Sequence, residues 1–166
     1  MTSDSDLQDL AARIGRELLA SRRRLATAES CTGGFVAKTL TDIPGSSQWF
    51  ECGYVTYSNE AKTRDLGVAR EILAGHGAVS EATARAMAAG ALHRAGVDIA
   101  VAVTGIAGPD GALPGKPVGT VWFGTALRAD GGDKIASQLA QFTGDRDAVR
   151  RRSVEYVLKL ILRLKS

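Results

Sequence analysis

Leu7, Leu10, Ile14 and Leu18 recur three or four residues apart between charged neighbours. That spacing places them on one face of a helix over 4–22, opened by a Ser/Asp-rich start. Arg22, Arg23 and Arg24 close it, where cations suit the helix dipole. The pattern then changes. Leu25–Ala28 is a short apolar run, and a second helical stretch over 32–41 opens at Gly33 and Gly34 and stops at Asp42–Gly45. Residues 49–57, WFECGYVTY, are rich in aromatic and β-branched types and predict a strand. Ser58 or Asn59 caps the next helix, and Ser80–Glu81 begins a longer one that runs to about Gly96. VDIAVAVT at 97–104 reads as a buried strand, and GIAGPDGALPGKP at 105–117 leaves no room for a helix. Residues 118–127 and 134–142 flank RADGGD and predict a β-hairpin. Val149, Val154, Val157, Ile161 and Leu164 mark the apolar stripe of a last helix.

These elements predict an α/β fold: a three-layer α/β/α sandwich with a mixed, mostly parallel central sheet, forming one domain over 1–166. Strand–helix–strand passages are right-handed and parallel, so strands 25–28, 49–57 and 97–104 point the same way. Their C-terminal ends lead into Ser30–Gly34, Ser58–Lys62 and Thr104–Gly108. Strand 118–127 returns antiparallel, and 134–142 brings Thr143–Arg146 back to the same edge. Open α/β sheets bind ligands at such an edge. The loop carrying Lys116 hangs over it.

Composition removes several alternatives. The chain has 166 residues, 45% hydrophobic and 23% charged, with a net charge of +3, an ordinary globular balance. Aromatics at 5% are too few for a row of base-stacking platforms. The acidic start lacks the features of a signal peptide, and no apolar run is long enough for a membrane span, so a cytoplasmic location and no membrane partner are expected. Two cysteines, Cys31 and Cys52, and two histidines, His76 and His93, form no metal-ligand spacing. There is no GxGxxG, and GALPGKP departs from a Walker A loop in spacing and at Pro117.

The chemistry gathers in TAESCTGG, residues 27–34, where Ser30, Cys31 and Thr32 stand in a row. Histidine is scarce near them, and Lys62 is the remaining base. Desolvation disfavours a lysine's charged form, so a buried lysine can accept a serine proton.

TAESCTGG, GSS, GYVTYSNEAK, GAVS, AVTGIAGP, KPVGTVWF and FTGDRDAVRR, in this order, resemble the C-terminal domain of the competence/damage-inducible protein CinA. The resemblance covers about residues 7 to 160. It implies a nicotinamide-nucleotide amidase that converts nicotinamide mononucleotide to nicotinate mononucleotide and ammonia in pyridine nucleotide recycling. It also implies a Ser/Lys dyad with no metal or other cofactor. Lys62 is the lysine of YSNEAK, whereas both Ser30 and Ser47 match family motifs. Seven extended residues span roughly 23 Å, which separates Ser47 from Lys62 and favours Ser30. Tyr57 is placed to orient Lys62 or relay a proton. Thr32, Gly33 and Gly34 would cradle the ligand, with oxyanion donors at the start of the 32–41 helix. Thr104, Gly105 and Arg146 would hold the ribose phosphate, and Glu29 would position the loop or the ligand. DGALPG at 110–115 departs from the family's usual loop.

Two other readings stay open at this level. A non-catalytic nucleotide-binding module shares the glycine-rich edge but does not require Ser30 and Lys62 to touch. A damage-related nucleic-acid partner would use Arg150, Arg151 and Arg152, a run more often found on a solvated helix face. The apolar hairpin and last helix are the surfaces on which a homodimer would form.

Overall fold

A computed structural model of the chain describes residues 2–164; Met1, Lys165 and Ser166, the ends of the expected 1–166 domain, lie outside the described residues. The elements run α1 (Asp4–Ser21), β1 (Leu25–Glu29), α2 (Phe35–Thr41), β2 (Phe50–Val55), α3 (Asn59–Leu66), α4 (Arg70–His76), α5 (Glu81–Ala95), β3 (Ile99–Gly105), β4 (Thr120–Leu127), β5 (Lys134–Gln141) and α6 (Arg146–Ile161). A 3-10 turn, Ser46–Gln48, leads into β2. The sheet order is β2-β1-β3-β4-β5. β1 pairs in parallel with β2 and β3, while β4 is antiparallel to β3 and β5. All strands except β4 therefore point the same way.

Alternation along the strands sorts side chains by size onto two faces. Leu25, Ile99, Val101, Val103, Val121 and Phe123 pack beneath α1, α2 and α6. Ala26, Ala28, Ala100, Ala102 and Ala126 face α5 and the buried residues of α3 and α4. The alanine face lets α5 lie close to the sheet. A Cβ at Gly124 would stand 2.1 Å from the Ala84 carbonyl oxygen, and one at Gly90 would stand 2.0 Å from that of Leu66. The result is the expected α/β/α sandwich. Trp49, 1% exposed, anchors the start of β2 against Gly15 of α1; truncating such a side chain to alanine costs about 3–5 kcal/mol.

The helices over the alanine face begin where the parallel strands end. Ser58 accepts from the Ala61 N–H at 3.1 Å and Ser80 from the Thr83 N–H at 3.1 Å. On the other face, Asp145 caps α6 through the Ala148 N–H at 2.9 Å. Such side-chain caps fix each helix start to the residue.

Several boundaries differ from expectation. The strand expected over 49–57 ends at Val55, and the chain leaves the sheet after one further hydrogen bond, from the Thr56 N–H to the Glu29 carbonyl. The helix expected from 32 starts at Phe35, because residues 30–34 form the turn after β1. α4 has no counterpart in the sequence reading, and His76 is its last residue. It buries only Leu73, too little for a periodic signal. The 105–117 segment has no crossover helix, only an isolated bridge between Leu113 and Lys116.

Candidate active site

Glu29 lies level with Val55 on one side and Val103 on the other. The ladder continues one step further: the Ser30 N–H donates to the Val103 carbonyl and the Thr56 N–H to the Glu29 carbonyl, both at 2.9 Å. Ser30 and Thr56 thus leave adjacent strand ends side by side. The Ser58 cap sets Lys62 one turn into α3, and its side chain returns beneath those ends, fully buried. Lys62 Nζ lies 3.1 Å from Ser30 Oγ, 2.8 Å from the Thr56 carbonyl oxygen and 3.3 Å from that of Tyr57.

Desolvation pushes the Lys62 pKa below its usual 10.5, against a small opposing effect of Cys31. An ammonium here loses hydration that no neighbouring carboxylate restores. The two carbonyls can only accept. A neutral amine has two N–H bonds and one lone pair. As an ammonium Lys62 donates to all three oxygens; in the neutral form, with both N–H bonds given to Thr56 and Tyr57, the lone pair would face the Ser30 hydroxyl.

Ser30 and Lys62 open onto a cleft of about 260 Å³, walled by Tyr57, Thr104, Gly105 and Arg146 and by parts of 78–79 and 106–111. The Thr104 hydroxyl donates to the Ala78 carbonyl at 2.7 Å and so secures one wall. Arg146, the first residue of α6, donates to the Gly108 carbonyl at 2.8 Å and to the Tyr57 hydroxyl at 3.0 Å. Lys116 reaches across the loop to the His76 carbonyl at 3.1 Å. Cys31 also lines the cleft, but burial pushes its thiol up to about 12, so no thiolate competes with the serine near neutral pH. A larger hollow of about 610 Å³ among Thr2, Asp6, Arg152, Glu155 and Lys159 offers no such nucleophile–base pair.

Other expected residues are turned elsewhere. Glu29, 1% exposed, accepts the N–H groups of Gly34 and Val36, both at 3.0 Å, and of Ala37 at 2.8 Å. Three N–H groups of the stretch where the oxyanion donors were expected are thus taken by Glu29. Thr32 is buried, its hydroxyl without a partner, and its carbonyl accepts from Arg150 at 2.9 Å. Gly33 and Gly34 open onto a separate hollow beside Phe35, Lys38 and Arg150. Ser47 lies in the turn before β2, an exposed position one strand length from the cleft. Six extended residues make that about 20 Å, so Ser47 and Lys62 of one chain do not meet.

The arginine run is largely tied up at home. Arg151 pairs with Asp4 and Asp147, and Arg152 donates to Thr143. Among the described residues no group of three or more His, Cys, Asp or Glu side chains is placed to hold a metal ion, and no helix is long and apolar enough to cross a membrane.

The sequence model of the CinA C-terminal domain family matches residues 7–165. The chain belongs to this family. The CinA C-terminal domain seen here is 54% identical over 159 residues to the nicotinamide-nucleotide amidohydrolase PncC of Escherichia coli K12, covering 96% of this chain and 94% of that protein. It is 51% identical over 164 residues to a CinA-like protein of Chloroherpeton thalassium, covering 98% of this chain but only 38% of that longer relative. Among solved structures, the competence/damage inducible protein CihA of Agrobacterium tumefaciens matches with a TM-score of 0.92 at 41% identity, covering 99% of this chain and 97% of that one.

Two features of this CinA C-terminal domain escaped the sequence reading. The carbonyls of Thr56 and Tyr57 are main-chain groups, which no residue type announces. The Tyr57–Arg146 contact joins residues 89 apart, with no periodicity to reveal it.

Proposed function

We propose that the chain hydrolyses the carboxamide of nicotinamide mononucleotide to nicotinate mononucleotide and ammonia, with Ser30 as nucleophile and Lys62 as base. The observation that carries this reading is the 3.1 Å contact between Lys62 Nζ and Ser30 Oγ at a fully buried lysine. Burying a lysine costs several kcal/mol unless it is paired, and a passive binding module gains nothing from it. Perturbed groups in clefts mark chemistry more often than scaffolding. The PncC name carried by relatives more than half identical supplies the substrate class.

The reaction follows from the groups in place. The Lys62 lone pair takes the Ser30 proton as Oγ attacks the carboxamide carbon. The oxyanion is met by N–H groups of the turn after Ser30, those of Cys31 and Thr32 being nearest in sequence; one such donor is worth about 2.7–4 kcal/mol. Protonated Lys62 returns its proton to the departing nitrogen, and ammonia leaves. Water, activated by the same amine, cleaves the acyl-serine and releases the nicotinate. Arg146, whose fork of donors suits a phosphate, holds the nucleotide phosphate, with Thr104 and Gly105 forming the wall beside it. A nicotinate nucleotide as product fits a step in pyridine nucleotide recycling.

Ammonia release from nicotinamide mononucleotide, measured with EDTA present, tests this reading. Ser30→Ala should reduce turnover by at least about a thousandfold, and Ser47→Ala should leave it intact. Loss on Ser47→Ala alone would move the nucleophile to Ser47 and require a partner chain at the site. No turnover in the wild type would favour the binding-module reading.

A further inference from the structure

Tyr57 touches both halves of the cleft. Its carbonyl accepts from Lys62, while its hydroxyl accepts from Arg146 at 3.0 Å. Neither Lys62 nor Ser30 has the Tyr57 hydroxyl as a hydrogen-bond partner, and the side chain is largely exposed. The base already reaches the nucleophile directly, so a phenolic relay between them has no gap to fill.

Arg146 is held by two neutral acceptors, the Tyr57 hydroxyl and the Gly108 carbonyl. Its sequence neighbours are engaged elsewhere, Asp145 as the cap of α6 and Asp147 with Arg151, and Asp110, which lines the same cleft, forms no ion pair with it. The guanidinium therefore keeps its full charge at the cleft wall. A guanidinium carries five N–H bonds, and these two contacts leave three for an incoming anion. An arginine side chain free to rotate would lose that freedom on binding. One already pinned at both ends of its fork does not.

We propose that the Tyr57 hydroxyl is a positioning group for Arg146, and that it sets the preference for a phosphorylated substrate without taking part in proton transfer. This rests on the reading of Arg146 as the phosphate-holding residue. Tyr57→Phe isolates the claim, because it keeps the ring and the carbonyl that holds Lys62.

The expected result is a split. With nicotinamide mononucleotide, Tyr57→Phe raises KM about two- to tenfold, the loss expected from releasing one side chain, and leaves kcat within about twofold. With nicotinamide riboside, which lacks the phosphate, kcat/KM does not change. A fall in kcat on both substrates would make Tyr57 a proton relay and overturn the proposal, as would an unchanged KM for the nucleotide. A second measurement is independent of turnover: ribose 5-phosphate binding to Ser30→Ala by calorimetry, with and without Tyr57→Phe. Weakening by a similar factor supports the positioning role even if the amide substrate is misassigned. Equal binding in the two proteins overturns it. Absence of ribose 5-phosphate binding in Ser30→Ala overturns both this proposal and the role of Arg146.

Discussion

Replacing Glu29 by glutamine exchanges one carboxylate oxygen for an amide nitrogen in a fully enclosed site. At present Oε2 accepts from Gly34 and Val36, and Oε1 accepts from Ala37. The better amide orientation keeps its oxygen on Gly34 and Val36 and turns NH2 toward the Ala37 N–H. Two donors then face each other, and one buried N–H goes unsatisfied, at about 1–3 kcal/mol. The two surviving bonds lose their charge assistance, about 1 kcal/mol each. An amide is cheaper to bury than a carboxylate, which returns part of the loss. The expected net destabilisation is about 2–4 kcal/mol, or roughly 4–16 °C in Tm for a chain of this size. Thermal unfolding followed by circular dichroism measures it, with nucleotide binding recorded on the folded protein. A Tm drop under about 2 °C together with weakened binding would refute the reasoning, because that pattern belongs to a carboxylate facing the ligand.

Other predictions follow from single contacts. Because burial lowers the Lys62 pKa below 10.5, kcat/KM should rise with pH along a limb ending below that value, and Lys62→Met should abolish activity. The stability sign agrees: between the folded and unfolded pKa the unfolded chain binds more protons, so stability from this group rises with pH. Urea midpoints of wild type and Lys62→Met from about pH 7 to about pH 10 would expose the difference in slope. Cys31, its thiol raised to about 12, should resist thiol-directed reagents at neutral pH in the native protein, and Cys31→Ala should keep its turnover. Gly124→Ala places a Cβ 2.1 Å from the Ala84 carbonyl oxygen. It should cost at least about 1–3 kcal/mol by urea denaturation, whereas Gly131→Ala, with nothing within 4 Å, should be neutral.

Periodicity and topology made much of this molecule legible before its structure. Two rules, right-handed crossovers and ligands at the C-terminal edge, were enough to bring Ser30 beside Lys62 from residues 32 apart. The direction of Glu29 was not legible, because a carboxylate before a helix reads alike whether it serves the ligand or the helix. Gly33 and Gly34, with φ of 60° and 94°, serve the turn and open away from the cleft, and the same two glycines would suit a phosphate cradle equally well on paper. Thr56 was read as part of a strand. Only its place one residue past the end of β2 turns its carbonyl into an anchor for the amine.

Ser30, the proposed nucleophile, follows an inner strand, β1, with a neighbour on each side, whereas Lys62, the proposed base, follows β2, which has only one. Edge strands open more readily than inner ones, and such openings occur in units smaller than the whole fold. A fluctuation that frees β2 and α3 would withdraw the amine while Ser30 stays bonded to Val103. Amide exchange over residues 50–66 should therefore report an opening free energy below the global stability. Hydration of Lys62 in that opened state favours its ammonium form, so acid prolongs the open interval and alkali shortens it.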